Sequence, residues 1–307
     1  PIAGGYIQTS NGDEIPISFE ARYLIGPEAA HVNISGISGL ASKTSYAMFL
    51  LTALQQKMKD QVSIVVFNVK GPDLLAIDER NENLSATQEN EWQKCRLEPK
   101  PLENVTYLYP YSKRQTKHYS GTYAPSEIAD VRLERGSAYN YYYDVETFKG
   151  GEEGNETDVG RDKMSLLFSD IDDPQSTMES CIHELGEIEA ETWEELREEI
   201  GKKGTKGGSG SKEIPVQSWR KFSRLIRTRT THDIFTSKHD DELRRQKLIF
   251  DAVKENVKPG NVLVIDIAPL PDYLQCLVFG DVIRTVFDAK LDLYEGVKRD
   301  DLGRVVI

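Results

Sequence analysis

The chain has 307 residues, a net charge of -12, and 38% apolar against 29% charged residues. This length suits one large domain or two ordinary ones, and the apolar share is enough for a buried core. The acidic balance excludes a general nucleic-acid coat, because affinity for phosphate comes from clustered Lys and Arg. A local basic surface, such as a pore lined by several subunits, remains compatible with DNA binding.

No stretch approaches the roughly 20 apolar residues of a membrane span. The N-terminus also lacks the basic start and apolar run of a signal peptide. The three cysteines, Cys95, Cys181 and Cys276, have no metal-ligand spacing, which is typical of a reducing compartment. We therefore expect a cytoplasmic protein without a membrane partner. The start at Pro1 and the apolar ending GRVVI indicate a piece of a longer protein.

The first seventy residues predict a hairpin followed by a βαβ unit. GGYIQT, the turn SNGDE and IPISFEARYLI predict a β-hairpin within residues 1–26. AHVNISG, ending at Gly36, predicts a short buried strand, and residues 43–59 predict a helix from their apolar spacing. The β-branched run at residues 62–69 predicts a second buried strand of a parallel sheet.

The rest of the chain alternates between apolar and polar stretches. Residues 79–100 are polar and charged and predict a surface excursion. A tyrosine-rich stretch begins at Ser137, and we expect its aromatic rings to pack rather than to bind bases. Further strands are predicted at 104–111, 137–148 and 261–270, helices at 176–188, 192–200, 217–229, 240–260 and 273–296, and loops at 149–163 and 201–213.

The stretch HVNISGISGLASKTSY has the features of a phosphate-binding loop. In such a loop a glycine-rich turn directs backbone N–H groups at one point, and the N-terminal dipole of the next helix adds to them. A lysine reaches the outer phosphates and a Ser or Thr hydroxyl ligates Mg²⁺. Here Gly36 and Gly39 supply the turn, Lys43 the charge and Thr44 the hydroxyl.

The loop departs from the standard motif in two ways. Six residues separate Gly36 from Lys43, one more than the standard loop has. Ser42 stands where a glycine usually allows the backbone closer to the phosphate. The loop alone therefore leaves two interpretations open, a nucleotide site and a strand–helix turn rich in small residues.

Three stretches together make the chain similar to the HerA branch of the HerA/FtsK superfamily of P-loop ATPases. They are LIGPEAAHVNISGISGLASKTSY, VVFNVKGPDLLAID and GNVLVIDIAPLPDYLQCLVFGDVIRTVF. The resemblance implies an α/β fold. Its RecA-like P-loop NTPase core is a parallel sheet flanked by helices, with an N-terminal β-hairpin and an inserted helical segment.

The resemblance divides the chain into four parts. Residues 1–26 form the N-terminal β segment, and 27–148 the first part of the ATPase core. Residues 149–257 are the inserted helical region, with a flexible loop at 201–213, and 258–307 return to the core.

The resemblance also assigns roles to residues. ATP and Mg²⁺ are the implied cofactors, Lys43 and Thr44 are the catalytic pair, and Thr44 ligates Mg²⁺. The family's Walker B acids are expected just past Ile307, so this chain alone is expected to hydrolyse ATP poorly. Asn68 occupies a position that is often Asp in the family, with Lys70 and Asp73 nearby. The implied ATP-binding residues are Gly36, Ser38, Gly39, Leu40, Ala41, Ser42, Lys43, Thr44 and Ser45.

Other motifs have simpler interpretations. Asp266 ends an apolar strand and is either a metal ligand or a structural strand-end residue. HELGE at 183–187 lacks the second histidine of a zinc-binding helix, and DIDD at 170–173 lacks the spacing of a calcium loop. The one concentrated basic stretch either contacts DNA or a neighbouring subunit, or forms an ion-paired helix face, which we favour. It contains Arg220, Lys221, Arg224, Arg227 and Arg229.

Three functions remain in competition. The leading one is the ATP-hydrolysing subunit of a hexameric DNA translocase, self-assembled and working with a nuclease or other effector in DNA end processing or defence against phage. The second is a degenerate P-loop scaffold that assembles a ring without efficient hydrolysis. The third is a small-molecule P-loop kinase, which would not form a ring.

Overall fold

The fold is taken from a computed structural model. It describes residues 1–26, 31–36, 42–113, 117–149, 163–172, 177–205 and 214–291. Within these residues the chain is an α/β protein with a parallel sheet flanked by helices and an N-terminal hairpin, as expected. This arrangement is compatible with a RecA-like core.

The N-terminal hairpin is confirmed. Strands β1 (Ile2–Gln8) and β2 (Glu14–Phe19) pair antiparallel across a turn in which Gly12 has φ +85°, a backbone region that favours glycine. The stretch that follows was predicted to continue the strand and is instead the short helix α1 (Ala21–Ile25). Its Ala, Arg and Leu residues have good helix propensity.

Five strands form the main sheet, in the order β3-β7-β4-β5-β6. Both pairings of β5, with β4 and with β6, are parallel. The apolar runs explain β7, in which every residue is buried, because a parallel sheet is covered on both faces. The strands are β3 (Ile64–Asn68), β4 (Val105–Pro110), β5 (Ala138–Tyr142), β6 (Gln246–Leu248) and β7 (Val262–Asp266).

Helices connect and cover these strands. Residues 163–167, here α6, are also helical. The remaining helices are α2 (Ser42–Met58), α3 (Ala86–Lys94), α4 (Ser126–Arg135), α5 (Glu146–Lys149), α7 (Thr177–His183), α8 (Trp193–Lys203), α9 (Val216–Arg229), α10 (Ile249–Asn256) and α11 (Asp272–Leu291).

The described chain divides into two compact units. The first consists of Pro1–Val66, Ala76–Val105 and Val257–Leu263, and the second of Phe67–Leu75, Thr106–Asn256 and Val264–Ile307. In the first unit, α2 contributes Ala53 and Leu54 to a core with Ile2 and Leu97. In the second unit, an aromatic cluster surrounds Trp193, which contacts Phe148 and Phe235 edge-on.

Three sequence predictions are wrong in detail. The described part of the predicted strand at 30–36, residues 31–36, has no regular secondary structure and is mostly exposed. The strand predicted at 137–148 extends only to Tyr142, and Glu146–Lys149 forms helix α5 instead. The helix predicted over 240–260 is divided, because Gln246–Leu248 pairs with β5 before α10 begins.

The remaining elements follow the predictions closely. The first part of the tyrosine-rich strand is confirmed as β5, and Tyr141, Tyr142 and Tyr143 are buried, so their rings pack in the interior. The surface excursion at 79–100 includes helix α3, which begins at a capping box formed by Ser85 and Gln88 and has no buried residue. Helix α8 extends to Lys203, and residues 201–203 of the predicted loop are therefore helical. Residues 206–213 of that loop lie outside the described part, as does the terminal GRVVI stretch.

Candidate functional site

The phosphate-binding loop is described at its two ends. Gly36 closes the extended segment, and Ser42 is the first residue of α2. The predicted cradle residues between them, Ser38, Gly39, Leu40 and Ala41, lie outside the described residues, as does the side chain of Ser42.

The side chain of Lys43 points back toward Gly36, at the start of the motif. The Lys43 ammonium donates a hydrogen bond of 3.2 Å to the carbonyl oxygen of Gly36. Lys43 is half-buried, while Thr44 and Ser45 are exposed in the same first turn of α2. The first N–H groups of a helix lack partners within the helix, and its N-terminus carries partial positive charge. The ammonium and the helix end thus reinforce one another as an anion-attracting region.

Asp266 ends β7 as an interior carboxylate with 0% exposure. Its Oδ2 accepts a hydrogen bond of 2.6 Å from the Thr122 hydroxyl, and its Oδ1 accepts one of 2.8 Å from the Asn68 amide. The Tyr141 hydroxyl donates to the backbone oxygen of Asp266 at 3.0 Å. Both carboxyl oxygens are therefore engaged by the protein, which favours the structural strand-end role over the role of magnesium ligand.

Burial and hydrogen bonding act in opposite directions on the Asp266 carboxyl. Burial raises its pKa above the ordinary value for Asp, while the bonds from Thr122 and Asn68 lower it. Burial is the larger effect because a charged carboxylate loses its hydration in the interior. The resulting carboxyl is harder to ionise than an exposed one.

The contacts of Asn68, at the end of β3, explain why an amide suits this position better than a carboxylate. Its amide nitrogen donates to the carbonyl of Gly71 at 2.7 Å as well as to Asp266. A carboxylate at position 68 would face the Asp266 carboxylate without a proton to share, which is unfavourable in a buried site. The nearby candidates Lys70 and Asp73 are both exposed.

Sequence analysis did not single out Thr122 or Tyr141, although both hold Asp266. Thr122 follows β4, and Tyr141 lies within β5, far from Asp266 along the chain. No short motif surrounds either residue. The signal that could have indicated these two residues was the strand order, because adjacent parallel strands bring their carboxyl ends to one edge of the sheet.

The two weak metal motifs do not assemble a site. In the described part of the chain, no group of three or more His, Cys, Asp or Glu side chains could hold a metal ion. His183 ends α7, and Glu187 lies in the following short 3₁₀ turn. Asp170 of the DIDD stretch pairs with Arg229 at 2.8 Å.

The basic stretch on α9 participates in the fold. Arg229 pairs with Asp170 and lies 4.3 Å from the centre of the Tyr273 ring. Arg220 donates to the carbonyl of Gly204 at 2.7 Å. These contacts agree with the favoured interpretation of a helix face that makes ion pairs and local bonds.

Comparison with known protein families and with curated proteins finds no match for this chain. None of the helices in the described ranges combines the length and apolarity of a membrane span.

Proposed function

We propose that this chain is the ATP- and Mg²⁺-binding subunit of a P-loop ATPase that assembles as a hexameric DNA translocase and works with a nuclease or other effector. Lys43 binds the outer phosphates, and the Thr44 hydroxyl ligates Mg²⁺. The observation that carries the proposal is the hydrogen bond from the Lys43 ammonium to the Gly36 carbonyl across the loop.

That contact supports the proposal because it holds the ammonium near Gly36, at the start of the motif. A bound phosphate is a stronger partner for the ammonium than a neutral carbonyl, since opposite charges add Coulomb attraction to the hydrogen bond. ATP would thus displace the Gly36 carbonyl as the partner of Lys43. The exposed Thr44 hydroxyl is accessible to a metal ion on the same turn.

A second candidate, a ring scaffold without efficient hydrolysis, is favoured by Asn68. This side chain is 1% exposed, and its amide is engaged by Gly71 and Asp266. It therefore offers no carboxylate for positioning a metal-bound water. On this alternative the loop binds nucleotide but turns it over slowly.

The first experiment measures binding of a fluorescent ATP analogue to the wild type and to Lys43→Ala. We expect at least a tenfold loss of affinity in the variant, which corresponds to about 1.4 kcal/mol. Lys57→Ala is the matched control, because Lys57 is an exposed lysine in the last turn of the same helix. Equal affinity of the wild type and Lys43→Ala would overturn the proposed site.

The second experiment separates the motor from the scaffold. ATP turnover of the full-length parent protein is measured with and without duplex DNA, and native mass spectrometry gives its oligomeric state. Turnover that rises with DNA and is lost in Lys43→Ala supports the motor. A ring that binds ATP without turnover supports the scaffold, and a monomer excludes both.

A further inference from the structure

The connections of the second unit create a crevice at the carboxyl edge of the sheet. Strand β4 continues through α4 to β5, whereas β6 continues through α10 back to β7, in the opposite direction along the sheet. Right-handed crossovers in opposite directions lie on opposite faces. Helix α11, which follows β7, packs on α10 and therefore lies on the same face of the sheet as α10. Helix α4, which follows β4, lies on the other face. The chain thus leaves the neighbouring strands β4 and β7 toward different faces.

Such a switch point is where open α/β sheets bind ligands. A cavity of about 480 Å³ lies there, within the range of small-molecule sites, roughly 300–1,000 Å³. Its walls come from the segments that follow β4, β7 and α9. The lining residues are Pro110, Tyr111, Ser112, Gly121, Thr122, Tyr123, Thr231, His232, Asp233, Pro269 and Tyr273.

The cavity has one carboxylate and neither Lys nor Arg among its described lining residues. That carboxylate, Asp233, is held by a bond of 2.8 Å from the Lys113 amide and one of 3.3 Å from the Ser112 hydroxyl. Both bonds end on Oδ2, and no described residue is seen to bond Oδ1, which is the oxygen that would meet a ligand. A fixed negative charge of this kind favours a cation and disfavours a phosphate.

The neighbouring groups do not cancel this charge. His232 accepts a bond from the Ile234 amide at Nδ1, and burial lowers the pKa of its imidazole, so the ring is neutral at pH 7 with its proton on Nε2. Arg229, beside Tyr273, is already paired with Asp170 at 2.8 Å. Arg244 donates to the Tyr111 hydroxyl at 3.0 Å and is paired with Asp241 at 3.5 Å. Asp233 is therefore the one charged side chain among the described residues that line the cavity.

The aromatic lining suits the same kind of ligand. The rings of Tyr111, Tyr123 and Tyr273 contribute to the walls, and Tyr123 is 55% exposed at the mouth. Aromatic faces attract cations by their negative quadrupole, as the Tyr273 ring already does with Arg229 at 4.3 Å. The Tyr111 ring stacks with Tyr119 and His239. We propose that this cavity binds a small organic cation with N–H donors, an alkylguanidinium or alkylammonium compound, with its cationic group on Asp233. This site is separate from the phosphate-binding loop and does not depend on the proposed function.

The test is isothermal titration calorimetry of the whole chain with agmatine. Its neutral analogue (4-hydroxybutyl)urea has nearly the same shape, with a urea group in place of the guanidinium and a hydroxyl in place of the ammonium. We expect saturable agmatine binding at least tenfold tighter than binding of the analogue. Absence of saturable binding, or equal affinity for the two compounds, would overturn the proposal without any variant.

A pair of variants then locates the binding. Asp233→Asn keeps an oxygen that accepts from Lys113 and Ser112 but removes the charge, and we expect at least a tenfold loss of agmatine affinity. Asp240→Asn, a neutralised exposed aspartate of the same unit, is expected to leave affinity unchanged. Equal affinities in the two variants would place the cation elsewhere and refute the assignment.

Discussion

Thr122→Val tests the hydrogen-bond network of Asp266. The Thr122 hydroxyl donates to the Asp266 carboxylate at 2.6 Å and accepts from the Ala124 amide at 3.1 Å. Valine replaces the hydroxyl with a methyl group of similar size, so the substitution removes both bonds and leaves almost no cavity. Any loss of stability then reports on hydrogen bonding rather than on packing.

The magnitude follows from the charge on Asp266. A hydrogen bond to a charged group contributes about 1.5–3 kcal/mol, and a neutral one about 0.5–1.5 kcal/mol. Because Asp266 is 0% exposed, water cannot replace the lost donor without entering the interior. We expect Thr122→Val to lower the free energy of unfolding by about 2–4 kcal/mol at pH 7.

The loss should depend on pH. The pKa of Asp266 is raised in the folded state, chiefly by burial and against the bonds from Thr122 and Asn68. The folded chain therefore binds a proton more readily than the unfolded one, and stability falls as pH rises through the folded pKa. Removing the Thr122 bond raises that pKa further. The destabilisation by Thr122→Val should thus be larger at pH 7 than at pH 4.

Urea unfolding followed by tryptophan fluorescence measures this effect. Trp193 and Trp219 are buried in the same unit as Asp266, so their emission reports its unfolding. The control is Thr122→Val in an Asp266→Asn background, where the charge is absent and the loss should shrink. An equal loss at both pH values and in both backgrounds would refute the charge-based reasoning.

Two further predictions concern the first unit. The pKa of Glu103 is lowered to about 2, first by its bond with Lys59 and then by Lys100. A carboxyl with a lowered pKa stabilises the fold at pH values above its pKa in the unfolded chain, and this stabilisation is lost as the pH falls through its pKa in the folded chain. The difference in unfolding free energy between wild type and Glu103→Gln should therefore shrink as the pH falls from 5 toward 2. Urea titrations at several pH values measure it, and a constant difference would contradict the ion-pair origin. Ser85→Ala removes the capping box of α3 and should cost about 1 kcal/mol, measured through Trp92 fluorescence. Ser85→Asp, which retains a cap, should lose much less; equal losses would rule out capping as the cause.

The local pattern of apolar residues was sufficient to predict most helices and strands. The continuous apolar runs predict the buried strands Ile64–Asn68 and Val262–Asp266, because a parallel sheet excludes water from both faces. Apolar spacing also predicts α2 (Ser42–Met58) to within a residue at each end. These elements depend on periodicity within a short window, which the residues themselves carry.

Pairing between strands that are distant in the sequence could not be predicted from such short stretches. Gln246–Leu248 is too short and too polar to predict a strand, and it becomes one because β5 offers a free edge. The extended segment ending at Gly36 shows the opposite error, a strand that is predicted but does not form. Its apolar residues predict a strand, yet residues 31–36 form none, since a strand exists only where a neighbour supplies its hydrogen bonds.

The sequence by itself determined the parts of the candidate sites that are contiguous in the chain. Gly36, Lys43 and Thr44 lie within nine residues of one another, so one motif predicts their shared chemistry. Only the tertiary structure decided that Asp266 is held by Thr122 and that a cavity lies beside Asp233. Thr122 and Asp266 come from segments more than a hundred residues apart, brought together because the neighbouring parallel strands β4 and β7 end at the same edge of the sheet. Asp233 reaches Lys113, also more than a hundred residues away, from the segment that follows α9.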